Sequence, residues 1–277
     1  MIIYQYRDEG GLCVLRTGEL RLSLLDSFND PFELAPSAID FSSMTKEHCI
    51  EFVTERFDEW YERDGQFRGL GDKETCRKIL LTNPSRIADL LVARLPENVE
   101  WVRSQFAAYA KPHWAIGCFS KRNDSILMWA HYAKQHTGLV IGYDTDQEPF
   151  SLTGKYLDLL EVEYRDCKPI YHHRHDVDEF QKEFFAAAKS KFTDWQYEQE
   201  VRIIVPRTSL REGRFMCLRP QSVASVIFGC RCPLSTKQAA MQYLNQDRLK
   251  HVAIYTANQN KEDYKLDLVE LRKGACG

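Results

Sequence analysis

Short apolar segments follow one another closely through the second half of the chain, and polar turns separate them. They are rich in valine, isoleucine and aromatic residues, which is typical of β-strands. Strands outnumber helices here, which predicts an α+β architecture with a mainly antiparallel sheet. The predicted strands cover residues 114–120, 138–144, 159–164, 201–205, 215–218, 223–228, 252–255 and 266–271.

The first half begins with two strand candidates, at residues 2–6 and 21–24, and then changes character. From about residue 45 to residue 110, apolar residues recur at spacings of three and four, which indicates amphipathic helices. Further helices are predicted at residues 127–132, 177–192 and 235–244. We therefore expect a single domain over residues 1–277 with a helical insertion at about 45–110.

Composition places the chain among ordinary globular proteins, with 277 residues, 44% of them hydrophobic and 28% charged. No stretch approaches the roughly 18 apolar residues of a membrane span, and the N-terminus lacks the pattern of a signal peptide. We therefore expect a cytoplasmic protein without a membrane partner, whose nine scattered cysteines are thiols. A net charge of −3 argues against nucleic-acid binding by the whole surface and leaves a local basic groove open.

Several catalytic motifs are absent from the sequence. It has no phosphate-binding loop, no dinucleotide fingerprint, no nucleophile elbow and no H-E-x-x-H, which argues against the enzyme classes that use them. Histidines cluster in YHHRH at residues 171–175, but no acidic or cysteine ligand stands at a metal-like spacing. We therefore favour a solvated linker there and expect no metal.

The segment WQYEQEVRIIVP, residues 195–206, places charges at the start of an apolar strand. If the chain is extended from Glu198, then Val201, Ile203 and Val205 form one face and Glu198, Glu200 and Arg202 the other. One interpretation is a solvated strand edge with a Glu–Arg pair. The other is a carboxylate in a cleft that stabilises an oxocarbenium-like transition state.

Two other segments have the same two kinds of interpretation. In SFNDPFE, residues Phe28, Asn29 and Asp30 form either a turn with aromatic anchors or a loop that packs against a planar ligand. In the helix predicted at 127–132, Met128, Trp129 and Tyr132 lie on nearby positions and are core residues in one interpretation. In the other, His131 and Tyr132 contact a phosphate or ribose near a helix N-terminus.

Four ordered blocks, IYQYR, LSLLDSFNDPFE, CFS…SILMWAHYAKQHTG and WQYEQEVR, resemble a widespread bacterial family of uncharacterised proteins. The resemblance extends from about Tyr4 to Gly229. The order of an aromatic first strand, a helix-and-loop region, a serine-bearing strand and a glutamate opening an apolar strand also resembles the ADP-ribosyltransferase fold, and in particular DarT-type toxins.

This second resemblance implies a split, mainly antiparallel sheet that binds NAD as a substrate. Glu198-Gln199-Glu200 resembles the E-x-E motif, which implies a catalytic role for Glu200 and an auxiliary role for Glu198. Arg7, Ser120 and Glu200 would form an Arg-Ser-Glu set. The NAD contacts expected from the resemblance and the flanking segments are Tyr6, Arg7, Phe28, Asn29, Asp30, Ser120, Trp129 and Tyr132.

The function implied is ADP-ribosyl transfer to a base of RNA or DNA, by the toxin of a toxin–antitoxin or phage-defence system with a cognate antitoxin protein. Two alternatives stay open, an NAD glycohydrolase and a non-catalytic module that binds RNA or protein. A basic rim would receive the phosphate backbone, although ordinary surface charge explains the same residues equally well. That rim would consist of Lys121, Arg122, Arg207, Arg211, Arg214 and Arg219.

Overall fold

The structure, a computed structural model, describes residues 1–34, 39–40, 57–58, 61–62, 71–82, 113–154, 157–172 and 177–274. The chain divides into two compact units. One contains Met1–Pro31, Ala108–Asp166 and Lys191–Gly277, and the other contains Phe32–Ala107 and Cys167–Ser190. The prediction of a single domain stays a prediction.

Strands dominate the described residues, as their β-branched and aromatic composition predicts. In chain order they are β1 (Ile2–Arg7), β2 (Glu19–Arg21), β3 (Ile39–Asp40), β4 (Trp114–Ser120), β5 (Leu139–Asp144), β6 (Asp158–Glu161), β7 (Glu163–Arg165), β8 (Tyr171–His172), β9 (Ser190–Phe192), β10 (Glu200–Pro206), β11 (Phe215–Cys217), β12 (Val223–Phe228), β13 (Ala253–Gln259) and β14 (Leu266–Arg272). The α-helices are α1 (Leu12–Thr17), α2 (Lys73–Thr82), α3 (Ile126–Tyr132), α4 (Val177–Lys189) and α5 (Leu234–Leu244).

The first unit is built on an eight-stranded sheet with the order β14-β13-β12-β5-β1-β4-β10-β6. Strands β12 and β13 pair in parallel, and the other neighbours in this sheet pair antiparallel. The predicted α+β architecture with a mainly antiparallel sheet is therefore confirmed. A small sheet of β2 and β11 also lies in this unit.

Strand β10 lies inside the sheet, between β4 and β6. Glu200 is opposite Ser120 on β4, and Val201 is opposite Glu161 on β6. The side chains from Glu200 to Val205 are buried. The interpretation of this segment as a solvated strand edge is therefore wrong, because β6 covers the side that an edge strand would expose.

Apolar residues pack on both faces of the sheet. Val201, Ile203 and Val205 belong to one buried cluster, which confirms the predicted core face of β10. On the opposite face, Tyr6 and Trp129 belong to a second cluster beneath α3. Since successive residues of a strand point to opposite faces, the polar residues at the start of β10 share the face of the second cluster.

Two short helices begin and end as local chemistry requires. Helix α1, which the sequence did not predict, ends at Gly18, whose left-handed φ of 71° turns the chain while its N–H donates to the Val14 carbonyl. Helix α3 begins after Ser125, whose hydroxyl accepts a hydrogen bond from the Met128 N–H at 3.4 Å. The Ser125 side chain therefore caps helix α3.

Several predicted boundaries differ from the structure. The strand predicted at 159–164 is two strands, β6 and β7, and the helix predicted at 177–192 ends at Lys189 and continues as β9. The chain is not extended from Glu198, because Thr193–Glu198 is a 3₁₀ helix and Gln199 has a left-handed φ of 44°. That backbone turn has no signature in the hydrophobic pattern.

The second unit contains α2, α4 and the parallel pair β3–β8. Helix α2 is capped by Asp72, whose carboxylate accepts from the N–H groups of Glu74 and Thr75 at 3.0 and 2.9 Å. Helix α2 and short helical pieces at 57–58 and 61–62 agree with the predicted helical insertion at 45–110, and most of that range lies outside the described residues. In the described parts of the chain, no helix combines the length and apolar character needed to cross a membrane.

The two-faced sheet makes a testable prediction about β10. Ile203→Ala should lower the free energy of unfolding by about 2–5 kcal/mol, because the fully buried side chain leaves a cavity in the core. Val269→Ala on strand β14 is the matched control, since that side chain is 44% exposed and its loss should cost about 0.5 kcal/mol or less. Urea unfolding of both variants measures the difference, and equal losses would contradict the assignment of faces.

Candidate active site

The backbone before β10 brings two glutamates onto one side of the sheet. The Ser120 hydroxyl donates to the Glu198 carbonyl at 2.5 Å, and the Lys121 N–H donates to the Gln199 carbonyl at 3.0 Å. The Glu200 N–H donates to the Tyr164 hydroxyl at 2.7 Å. These bonds fix the turn at Gln199, so that the Glu198 and Glu200 side chains converge although only Glu200 lies in the strand.

A buried lysine joins the two carboxylates. Lys191 Nζ donates to Glu198 Oε2 at 2.5 Å and to Glu200 Oε2 at 2.8 Å. Arg202 donates from Nε to Glu200 Oε1 at 2.8 Å and from Nη2 to Glu200 Oε2 at 2.9 Å. The side chains of Lys191, Glu198, Glu200 and Arg202 are 5%, 4%, 4% and 0% exposed, and we call these four residues the charge network.

Formal charges balance within the charge network, because two carboxylates face one ammonium and one guanidinium. Burial alone would lower the pKa of Lys191, but Glu200 and Glu198 together raise it above its usual value, so the lysine stays protonated. Burial raises the pKa of Glu200, and Lys191 opposes that rise. Burial lowers the pKa of Arg202, and the charge of the nearby Asp30 partly offsets this decrease. Each charge in the network therefore depends on its neighbours to remain buried.

The loop at residues 28–30 contacts the charge network from outside. The Arg202 guanidinium lies 5.8 Å from the centre of the Phe28 ring, a cation–π contact. The Tyr132 hydroxyl donates to Glu198 Oε1 at 2.7 Å, and the exposed Asn29 amide donates to the same hydroxyl at 3.3 Å. Three predicted contact residues thus meet the charge network directly, namely Phe28, Asp30 and Tyr132, and Asn29 reaches it through Tyr132.

Three other predicted contact residues are internal. Trp129 is fully buried, donates from Nε1 to the Asn123 carbonyl at 2.9 Å and stacks on His136. The Tyr6 hydroxyl donates to the Arg122 carbonyl at 3.0 Å, and its ring packs edge-on against Trp129. The buried Ser120 hydroxyl holds the Glu198 carbonyl. As the structure stands, none of these side chains presents a surface to a ligand.

Arg7 lies apart from the charge network. Tyr4 is opposite Ser120, which is opposite Glu200, so these three residues share one face of the sheet. Arg7 is an odd number of residues from Tyr4 and faces the other way, where its Cβ lies against Gly11. The expected Arg-Ser-Glu set is therefore wrong as a spatial cluster: Ser120 and Glu200 come together without Arg7.

Three residues of the site were not predicted, and they differ in the signal that could have found them. Lys191 stands at the end of a predicted helix, where nothing marks it as a partner of two glutamates. Tyr164 ends a predicted strand. Cys118 lies on β4 opposite Arg202, so a correct prediction that β4 pairs with β10 would have identified it. Burial and the nearby Glu200 hold the pKa of the Cys118 thiol well above its usual value, which argues against a thiolate nucleophile.

The six basic residues of the predicted rim do not form one surface around Glu200. Four of them follow Pro206, which is about 20 Å along β10 from Glu200 at the usual rise per residue. Arg211 is paired with Glu19 at 2.6 Å, and Arg219 with Glu148 at 3.2 Å. Only Lys121 and Arg122 adjoin the glutamate end of the strand. The six residues predicted for the rim therefore do not gather at the glutamate end of β10.

Among the described residues, no group of three or more His, Cys, Asp or Glu side chains is arranged so that it could hold a metal ion. His172 lies in β8, and residues 173–175 of the histidine cluster lie outside the described residues. The seven described cysteines are free thiols.

Comparison with known proteins gives one match. A domain of a family described as "Protein of unknown function (DUF2971)" is found at residues 128–203. This range includes all four residues of the charge network and Tyr132. No curated protein and no solved structure matches the chain.

The charge network predicts a large stability cost when its lysine is removed. Lys191→Met should lower the free energy of unfolding by about 3–5 kcal/mol, because it leaves two buried carboxylates with a single cation. Lys121→Met is the matched control, since Lys121 pairs with Glu161 at 2.6 Å at the surface and such a pair contributes about 1 kcal/mol or less. Urea unfolding measures both. A cost for Lys191→Met no larger than the control would show that the network is not held as the structure describes.

Proposed function

We propose that the protein cleaves NAD and transfers its ADP-ribose to a base of a nucleic acid. The observation that carries the proposal is the convergence of Glu198 and Glu200 on Lys191 at the start of a strand in a mainly antiparallel sheet. Paired carboxylates suit glycosidic chemistry, because the transition state carries positive charge at the anomeric carbon. The resemblance to ADP-ribosyltransferases supplies NAD as the substrate.

The two carboxylates are unequal in their availability to a ribose. Both oxygens of Glu200 accept from cations, whereas Glu198 Oε1 accepts from the neutral hydroxyl of Tyr132. A ribose hydroxyl that takes the place of the Tyr132 hydroxyl would reach Glu198 without breaking an ion pair. We therefore propose Glu198 as the carboxylate that contacts the nicotinamide ribose and Glu200 as the auxiliary carboxylate. These roles are the reverse of those that the E-x-E motif implies.

The reaction then requires one bond to break and one to form. The bond between the anomeric carbon and the nicotinamide nitrogen breaks, and nicotinamide leaves with the bonding electrons. Glu198 offsets the positive charge that develops on the ribose, and Glu200 adds to the negative potential at that point. A ring or amino nitrogen of the acceptor base bonds to the anomeric carbon and loses its proton to solvent. The Asn29 amide would orient the ribose hydroxyls.

The acceptor and the biological setting follow from the resemblance to DarT-type toxins. Modification of cellular RNA or DNA bases would harm the host, so we propose a cytoplasmic toxin that is controlled by a cognate antitoxin or released during phage infection. An NAD glycohydrolase uses the same first step with water as the acceptor. The products distinguish the two, because only the transferase gives an ADP-ribosylated nucleic acid.

A second candidate function has an observation in its favour. Arg202 and Glu200 form a bidentate ion pair in which both side chains are buried. Such a pair can also have a purely structural role in a binding module. Such a module would bind RNA or protein without cleaving NAD. Mass spectrometry of nucleic acids and proteins after expression, searching for an ADP-ribose adduct, separates this candidate from the transferase.

The proposal predicts the effect of two isosteric substitutions on NAD cleavage. Glu198→Gln and Glu200→Gln should each reduce nicotinamide release by at least about 100-fold, because each removes a negative charge near the developing cation. Glu161→Gln is the matched control, since this exposed glutamate lies on the neighbouring strand β6 and should leave the rate unchanged. Nicotinamide release is followed by chromatography, and circular dichroism confirms that each variant is folded. Full activity in both network variants would exclude the proposed chemistry.

A further inference from the structure

The chain passes between its two units at points that adjoin the charge network in sequence. Three crossings with described residues on both sides lie at Pro31–Phe32, Asp166–Cys167 and Ser190–Lys191. Asp30, whose charge acts on Arg202, stands just before the first crossing, and Lys191 itself follows the third. Tyr164, whose hydroxyl accepts from the Glu200 N–H at 2.7 Å, precedes the second. Each crossing therefore adjoins a group that acts on the charge network.

Helix α4, which belongs to the second unit, leads almost directly into Lys191. The helix ends at the second residue before Lys191, and the Ser190 hydroxyl donates back to the Ala186 carbonyl at 3.0 Å. Phe184 and Ala188 of this helix are fully buried, so packing holds α4 in place. Two residues of chain span at most about 7 Å, so the backbone of Lys191 follows the end of α4 closely.

The return of the chain into the first unit is also held from its other side. The Thr193 hydroxyl donates to Asp166 Oδ1 at 2.6 Å, which joins the residues that flank the segment 167–190. Lys191 lies in the chain between this bond and α4, and its ammonium group contacts both carboxylates of the charge network. These contacts are 2.5 and 2.8 Å long, and a shift of the ammonium group by about 1 Å would break them.

From this connection we propose that helix α4 is the positioning element for Lys191, so that the folding of the second unit holds the two carboxylates together. When α4 unfolds locally, the ammonium group loses its anchor, and two buried carboxylates are left to repel each other. The pair then opens to water. The consequence for activity rests on the proposed function, because cleavage of NAD needs both carboxylates beside the anomeric carbon.

The arrangement gives the second unit a regulatory role. Phe184 and Ala188 act on the site through Lys191 and are positioning residues. A ligand or protein that prefers the folded form of α4 raises the fraction of molecules in which the carboxylates are paired, and one that prefers the unfolded form lowers it.

Hydrogen exchange without NAD, resolved by NMR, tests the coupling. Ala186 is exposed, so Ala186→Gly weakens α4 without removing a buried side chain, and a glycine inside a helix raises local opening about fivefold. We expect amide exchange within α4 to rise by this factor. The Lys191 ammonium protons and the Glu200 N–H should follow by a similar factor. The ammonium signal is assigned as the one lost in Lys191→Arg, which keeps the positive charge.

Controls separate coupling from a general loss of stability. Gln238→Gly weakens α5, a helix of the first unit, at an exposed position and should leave the Lys191 and Glu200 signals unchanged. Ala186→Lys keeps a good helix former and should restore slow exchange at both groups. The amides of β12 report global unfolding. An equal rise in β12 with Ala186→Gly, or an equal effect of Gln238→Gly, would overturn the inference.

A stronger variant tests the consequence for the site. Phe184→Ala removes a fully buried ring from α4. It should abolish the slowly exchanging Lys191 ammonium signal while the β12 amides stay protected. An ammonium signal that persists although the α4 amides exchange freely would contradict the positioning role.

Exchange and catalysis distinguish this inference from the proposed function. Coupled exchange in a protein that does not release nicotinamide would support the positioning role and overturn only NAD cleavage. Nicotinamide release in a protein whose exchange changes are confined to α4 would overturn the positioning role and leave NAD cleavage standing. Where both hold, Phe184→Ala should also lose nicotinamide release.

Discussion

The ammonium group of Lys191 is the interaction on which the geometry of the candidate active site depends. Two carboxylates on residues separated by a single residue repel each other when water is excluded. Of these two glutamates, Arg202 contacts Glu200. Lys191 is the group that contacts both, and both glutamates raise its pKa in return. The aromatic ring of Trp195 lies over the same lysine, so one buried cation contacts both carboxylates and this ring.

Energetics explain why one carboxylate is the better candidate for contact with a substrate. A hydrogen bond to a charged group contributes about 1.5–3 kcal/mol to stability, whereas separating a buried ion pair costs about 3–5 kcal/mol. Glu198 is held on one side by the Tyr132 hydroxyl, so a ligand that displaces this hydroxyl meets the smaller cost. Glu200 is held by cations on both oxygens and would meet the larger one. The sequence motif alone does not show that the two glutamates differ in the number of cations that hold them.

Periodicity predicted the parts of the structure that depend on local pattern. The apolar face of β10 followed from alternation at Val201, Ile203 and Val205, and the α+β class followed from closely spaced strands. Long-range pairing was not readable from the sequence. Tyr6 and Arg7 were equal candidates, and only the register of β1 against β4 shows that Tyr6, and not Arg7, shares the face of Glu200. Lys191 was missed for the same reason, since its partners are defined by folding and not by a spacing. Trp129 was expected at the ligand and is buried, because a large aromatic ring on a helix fits a core equally well.

Gln199 shows how the two glutamates come to share one lysine. In a regular strand, residues i and i+2 lie on one face about 6.6 Å apart, and their side chains run parallel. The left-handed conformation of Gln199, at a φ of 44°, ends the 3₁₀ helix and redirects the chain between the two glutamates. A non-glycine residue in this conformation costs about 1–2 kcal/mol. The hydrogen bonds from Ser120 and Lys121 to the flanking carbonyls hold it there. Strain of this kind persists where the surroundings enforce it, and its position between two paired carboxylates is the reason to look for chemistry at this turn.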